Sequence, residues 1–236
     1  MRAILLIAYS FFRQQRLVVL VLLAFTAVLL GVFLSESSNN PAKTELAIPY
    51  LQLIGYGIFM PFLLCTQMMF LERKTRRILG MLSKGIYRWQ YIIGLWLASL
   101  FVSATQLGSL GFSIHLASVW RGWDFHIWPA LGAAFVAAAL AGAVAIPFGC
   151  FLHPMVATFL GGGLIAMPFW LSSRSMGNFD LLLPVVPIFR SIMRSALLHP
   201  WGGDPWLLVM ALAQIALLLT LASWLFERID VTAAVE

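Results

Sequence analysis

The sequence predicts an all-α integral membrane protein with six transmembrane helices and both termini in the cytoplasm. Of its 236 residues, 61% are hydrophobic and only 10% are charged, a balance that excludes an ordinary soluble domain. Six apolar runs are each long enough to cross roughly 30 Å of hydrocarbon as a helix, and none contains Asp, Glu, Lys or Arg. Transmembrane β-strands would alternate polar and apolar residues, which a run such as VVLVLLAFTAVLLGVFL does not.

The predicted elements form one transmembrane domain over residues 1–236. Residues 1–16 are amphipathic, with Ile7 and Phe11 opposite Arg13 and Gln14. They predict either a helix lying in the membrane interface or the start of a longer first helix, and both interpretations remain open. The predicted spans that follow are 17–34, 46–71, 91–118, 128–151, 155–171 and 205–226.

Basic residues in the short segments between the spans set the predicted orientation. With the N-terminus in the cytoplasm, ten Lys and Arg residues lie on the cytoplasmic side and five on the other, and six of the ten fall between spans two and three. The net charge of +6 therefore reports topology, and we expect no nucleic-acid partner.

The segment 72–90, ERKTRRILGMLSKGIYRWQ, predicts a short cytoplasmic helix over 75–87. Its basic residues alone are explained by topology and by contact with lipid phosphates. However, Ile78, Leu79, Leu82 and Ile86 are spaced to form one apolar side of a helix, which a topology signal does not need. Docking of another protein fits this segment better.

The segment 172–204 is predicted on the outer side but is too apolar for a solvated loop. Pro184 and Pro187 exclude a straight spanning helix. We expect two short helices that dip into the outer leaflet as a re-entrant hairpin before the last span. A single helix lying flat on the outer surface is the alternative.

No catalytic or metal-binding motif is found, so the chain is not expected to be an enzyme by itself. It lacks G-x-x-x-x-G-K-[ST], G-x-S-x-G and H-E-x-x-H. Ser113 and His115 suggest, as an alternative, a six-helix intramembrane protease, but two positions apart on a helix they point to different sides. A buried, hydrogen-bonded His115 is the simpler prediction.

Polar residues in span three offer a candidate substrate path. Ser99, Ser103 and Gln106 share one face of the predicted helix. Small polar residues also allow close, hydrogen-bonded helix packing, which is the favoured interpretation. Because no span contains a charged residue, uphill transport would need energy from a partner, and a cargo would be hydrophobic or amphipathic.

The whole pattern resembles the membrane (permease) subunit of a type-2 ABC transporter. Members of that family have an interfacial N-terminal helix, six spans, a coupling helix between spans two and three, and a re-entrant hairpin before span six. The coupling segment often contains E-R-E-x-G-T-L-x-x-L-L-x-x-P-V-S-R, followed by a tyrosine or leucine and then L-G-K. The residues here that fit the pattern are Glu72, Arg73, Ile78, Leu82 and Arg88, and Tyr91 and Gly94 fit the residues that follow it. Arg76 and Arg77 replace the Gly-Thr of the family pattern.

The resemblance implies an exporter in the plasma (inner) membrane of a prokaryote. It implies a homo- or heterodimer with a second permease chain. It also implies ATP-binding cassette subunits that bind the ATP and Mg, so that no cofactor is expected in this chain. The residues implied to couple to the ATPase are Arg76, Arg77, Ile78, Leu79, Leu82 and Ile86. A sensory or binding partner of an ATPase, without transport, is a further alternative.

Overall fold

The structure, a computed structural model, describes residues 2–35, 43–74, 80, 85–121, 128–172, 188 and 205–228. Within these ranges the chain forms seven helices and no strand. The helices are α1 (Arg2–Gln14), α2 (Arg16–Ser35), α3 (Lys43–Lys74), α4 (Arg88–Arg121), α5 (Trp128–Phe151), α6 (Pro154–Ser172) and α7 (Pro205–Arg228).

Each of the six predicted spans lies inside one of the helices α2 to α7. Three helices, Arg88–Trp120, Trp128–Phe151 and Trp206–Arg228, are long and apolar enough to cross a membrane, and a fourth span is added if the bent pair α1–α2 is one span. Large apolar side chains also cover the outside, as on α6, where Met155 and Phe159 are about four-fifths exposed. An outer surface this apolar identifies a membrane-embedded protein.

The amphipathic start of the chain is a separate helix. The axes of α1 and α2 differ by 62°, and the break falls at Gln15, whose amide N–H is shared between the carbonyls of Phe11 and Phe12 at 3.2 and 3.0 Å. The alternative of one continuous first helix is therefore wrong. The buried face of α1, with Ile7, Ala8 and Phe11, packs against α4.

Helix α5 occupies the centre of the bundle. It contacts α3, α4, α6 and α7, and Ala or Gly accounts for most of its buried positions. At Gly142 an added Cβ would lie 3.2 Å from Pro61 of α3 and 3.6 Å from the Ser99 hydroxyl of α4. The small side chains of α5 therefore let three helices approach closely, as its composition predicts.

Two predicted elements lie largely outside the described residues. Within the predicted hairpin 172–204 only Ser172 and Ile188 are described, and Ile188 is buried. Within the predicted coupling helix 75–87 the structure describes Gly80 and the three residues 85–87, which are not helical. The predicted helix therefore does not extend over residues 85–87, and Gly85 has a φ of 76°, in the left-handed region that glycine adopts readily.

Candidate functional site

The segment 72–90 joins the bundle at a contact of three helices that are distant in sequence. We call Phe11, Arg88, Tyr91 and Phe226 the α1–α4–α7 junction. The Tyr91 ring stacks on Phe226 of α7, with centroids 6.0 Å apart and planes 17° from parallel. It also meets the ring of Phe11 from α1 edge to face at 5.6 Å. All three rings are completely buried, so the start of α4 is fixed against both helices.

Arg88 forms the polar part of this junction. Its Nη1 donates hydrogen bonds to the carbonyl oxygens of Phe226 and Glu227, at 2.8 and 2.9 Å. Its guanidinium also lies 5.7 Å from the centre of the Phe226 ring. The last carbonyls of a helix lack intrahelical partners and carry partial negative charge. Arg88 therefore caps the C-terminal end of α7 from the first residue of α4.

The predicted path residues are buried within the protomer. Ser99 and Ser103 have no exposed surface, and Gln106 is 6% exposed. Ser103 donates a hydrogen bond to the Gly57 carbonyl of α3 at 3.0 Å. The Cys65 thiol of α3 donates to the Ser99 hydroxyl at 3.3 Å. In this conformation the polar face of α4 joins helices, as the packing interpretation predicts, and its role as a path stays a prediction.

Two further features of this face concern α5 and Gln106. The indole N–H of Trp96 donates to the Ala139 carbonyl of α5 at 3.0 Å, so α4 is hydrogen-bonded to helices on both sides. Within the described part of the chain, Oε1 of Gln106 is buried and accepts no hydrogen bond. Gln106 is therefore the member of the face that helix packing explains least.

We expect Ser103→Ala to lower the free energy of unfolding by about 0.6 kcal/mol, the average for a hydrogen bond between membrane helices. Thr105→Ala is the matched control, because the Thr105 hydroxyl bonds to its own helix, at the Phe101 carbonyl. Thermal unfolding in nanodiscs compares the two variants. Equal stability of both variants would show that the bond to Gly57 does not hold α3 and α4 together.

Ser113 and His115 lie on different sides of α4. Ser113 is buried, but His115 is exposed and packs beside Trp128, with ring centroids 5.9 Å apart. The prediction of a buried His115 is therefore wrong, because the helix turns this position outward. His153 accepts a hydrogen bond at Nδ1 from the Met155 amide at 3.4 Å and so caps the start of α6.

Only one of the predicted coupling residues falls in the described ranges. Ile86 is half-buried and packs against the hydrophobic core of the chain, whereas its neighbour Tyr87 is 67% exposed. Arg76, Arg77, Ile78, Leu79 and Leu82 lie outside the described residues.

Sequence reasoning missed a buried carboxylate and the contacts at the junction. Glu72, the last residue before the basic cluster, is only 3% exposed, although its position predicts an interfacial side chain. Tyr91 and Phe226 are two aromatic residues among many in apolar runs. The one available signal was Arg88, a basic residue placed one turn before Tyr91.

Within the described ranges, no group of three or more His, Cys, Asp or Glu side chains is placed to hold a metal ion. Comparison with known proteins gives no family assignment: no protein-family model matches the chain, and no curated protein matches it significantly.

Proposed function

We propose that this protein is the permease subunit of an ATP-driven exporter, of the kind that the type-2 ABC transporters represent. In this proposal α2 to α7 are the six spans, both termini are cytoplasmic, and a second permease chain completes the path. ATP and Mg bind to a separate ATPase that docks on residues 75–87. The membrane is the plasma membrane of a prokaryote.

The α1–α4–α7 junction is the observation that carries the proposal. A segment that receives force from an ATPase must be attached firmly to the spans that it moves. Residues 72–87 lead directly into α4, where Arg88 is hydrogen-bonded to α7 and Tyr91 packs on both α7 and α1. A displacement of this segment would therefore be transmitted to the first and last elements of the chain as well as to α4.

The polar face of α4 supports a path only in a different arrangement of the helices. Ser99, Ser103 and Gln106 lie between α3, α4 and α5 in the present conformation, where they are buried. If ATP-driven movement separates α3 from α4, the bond from Ser103 to Gly57 is broken and these side chains are released. A cargo meeting them would find hydroxyl and amide groups and no charge, which suits a hydrophobic or amphipathic molecule.

The protease alternative has less support than the exporter, since His115 faces outward while Ser113 is buried. A sensory partner of an ATPase would use the same junction. It differs from an exporter only in flux, so ATP-dependent transport into inverted membrane vesicles separates the two.

Charge reversal in the coupling segment tests the proposal. We expect Arg76→Glu combined with Arg77→Glu to abolish co-purification of a subunit containing G-x-x-x-x-G-K-[ST], and with it the vanadate-sensitive ATP hydrolysis of the complex in nanodiscs. The reason is that a basic docking surface becomes acidic, and like charges across an interface suppress binding.

The matched control is Arg190→Glu combined with Arg194→Glu. It changes the charge equally but lies on the predicted outer side, where no ATPase can bind. The complex and its activity should survive in this control. An ATPase that stays bound to the Arg76/Arg77 variant, or that is lost equally from both variants, would contradict docking at residues 75–87.

A further inference from the structure

We propose that the groove between α1 and α4 binds one anionic phospholipid as a structural ligand, with an acyl chain in the groove and the phosphate on Arg13 and Arg16. The groove has a volume of about 300 Å³ and is lined by Leu5, Tyr9, Phe12, Phe101 and Thr105. Ligand pockets for whole drug-sized molecules range from roughly 300 to 1,000 Å³. This groove therefore suits one chain segment of a larger molecule.

The lining of the groove is chemically apolar. Phe12 and Phe101, one from each helix, meet edge to face at 6.4 Å and both line it. The Thr105 hydroxyl donates to the Phe101 carbonyl of its own helix at 2.8 Å, so this polar group is already paired within α4. The phenol of Tyr9, which is 64% exposed, is the remaining polar group. A hydrocarbon chain matches this surface, whereas a sugar or a peptide backbone would leave polar groups unpaired.

Two arginines follow the groove-lining residues of α1 along the chain, one on α1 and one at the start of α2. Leu5, Tyr9 and Phe12 are spaced four and three residues apart and so share a side of α1. Arg13 follows Tyr9 by one turn, and Arg16 begins α2 immediately after the 62° bend. Both arginine side chains are exposed.

Neither Arg13 nor Arg16 forms a salt bridge with any residue that the structure describes. A guanidinium binds phosphate through paired N–H donors. Exposed cations beside an apolar groove in a membrane protein thus complement a lipid with a negatively charged head group, and a zwitterionic lipid complements them less well.

Native mass spectrometry of the detergent-purified chain tests this site. The protein is titrated with phosphatidylglycerol and, separately, with phosphatidylcholine that has the same acyl chains. We expect one phosphatidylglycerol to bind more tightly than any phosphatidylcholine. Arg13→Gln combined with Arg16→Gln should weaken phosphatidylglycerol binding about 30-fold and weaken phosphatidylcholine binding much less, because the phosphatidylcholine head group carries no net charge. Thr105→Trp, which fills the groove, should weaken both lipids.

The control is Arg228→Gln, which removes one positive charge at the end of α7, where Arg228 lies over Trp224; it should leave phosphatidylglycerol binding unchanged. Equal affinity for the two lipids, or an unchanged affinity in the Arg13/Arg16 variant, would overturn the proposal. Inorganic phosphate that displaces phosphatidylglycerol would also overturn it, because the site would then bind an anion without an acyl chain. So would a dimer of the protein that forms in place of the lipid complex. None of these readouts depends on an ATPase or on transport.

Discussion

Replacing Gly94 by valine is expected to detach α1 from the bundle. A Cβ at this position would lie 2.6 Å from Cγ2 and 2.8 Å from Cβ of Ile7, and 3.3 Å from the main-chain oxygen of Ile4. Ile7 is β-branched and stiff at χ1, and the backbone of α1 cannot yield locally, so the whole helix must move. Overpacking of this kind costs about 1–3 kcal/mol, and the larger valine side chain places this variant at the upper end.

Gly108→Val is the matched control on the same helix. Nothing lies within 4 Å of a Cβ built at Gly108, and the intrinsic helix propensity changes identically at both positions. Thermal unfolding in nanodiscs gives the stability difference. A spin label at Tyr9→Cys reports whether α1 has become mobile. If the two valine variants are equally stable and the label stays immobile, close packing of α1 on α4 is not what holds it.

Replacing Arg88 by glutamine is expected to loosen the end of α7. The substitution removes two charge-assisted hydrogen bonds to main-chain oxygens, at 2.8 and 2.9 Å, and a contact with the Phe226 ring. Hydrogen bonds to charged groups contribute about 1.5–3 kcal/mol. Since Arg88 is half-buried and its two bonds share one nitrogen, we expect a loss of about 2 kcal/mol.

Double electron–electron resonance, which measures the distance between two spin labels, distinguishes a loosened α7 end from a general loss of stability. Spin labels at Tyr87→Cys and Glu227→Cys, both at exposed positions, should give a narrow distance distribution in the native protein and a broad one with Arg88→Gln. Arg228→Gln removes an equal charge nearby, and we expect it to keep the distribution narrow. A narrow distribution in both variants would show that the aromatic contacts suffice without the arginine.

Apolar runs bounded by charges predicted the helical segments well. In a membrane every backbone polar group must be satisfied within the protein, so a long uncharged run has almost no alternative to a helix. For this reason span 128–151 coincides with α5, and 91–118 lies within α4. The amphipathic pattern of residues 1–16 also identified the face of α1 that carries Ile7 and Phe11.

The pairing of helices could not be predicted in the same way. Hydrophobic periodicity is a local property, whereas Arg88 and Phe226 are 138 positions apart. In apolar surroundings the face that meets another helix and the face that meets lipid have similar composition. The sequence therefore does not distinguish buried positions from lipid-facing ones. That is why His115 was assigned to the interior although it is exposed.

Arg88 binds to main-chain oxygens, and this fixes the register of the last helix at its C-terminal end. Any residue at positions 226 and 227 supplies the same carbonyl oxygens. A charge-swap experiment, in which two ionic partners are exchanged, therefore cannot restore this contact once Arg88 is replaced. The C-terminal end of α7 is thereby fixed in position. The position of its N-terminal end then depends on the number of residues in the helix. Inserting one residue in α7 would rotate and shift everything before the insertion by about 100° and 1.5 Å. The register error would then appear at Pro205, where the segment 172–204 joins α7, and not at the arginine.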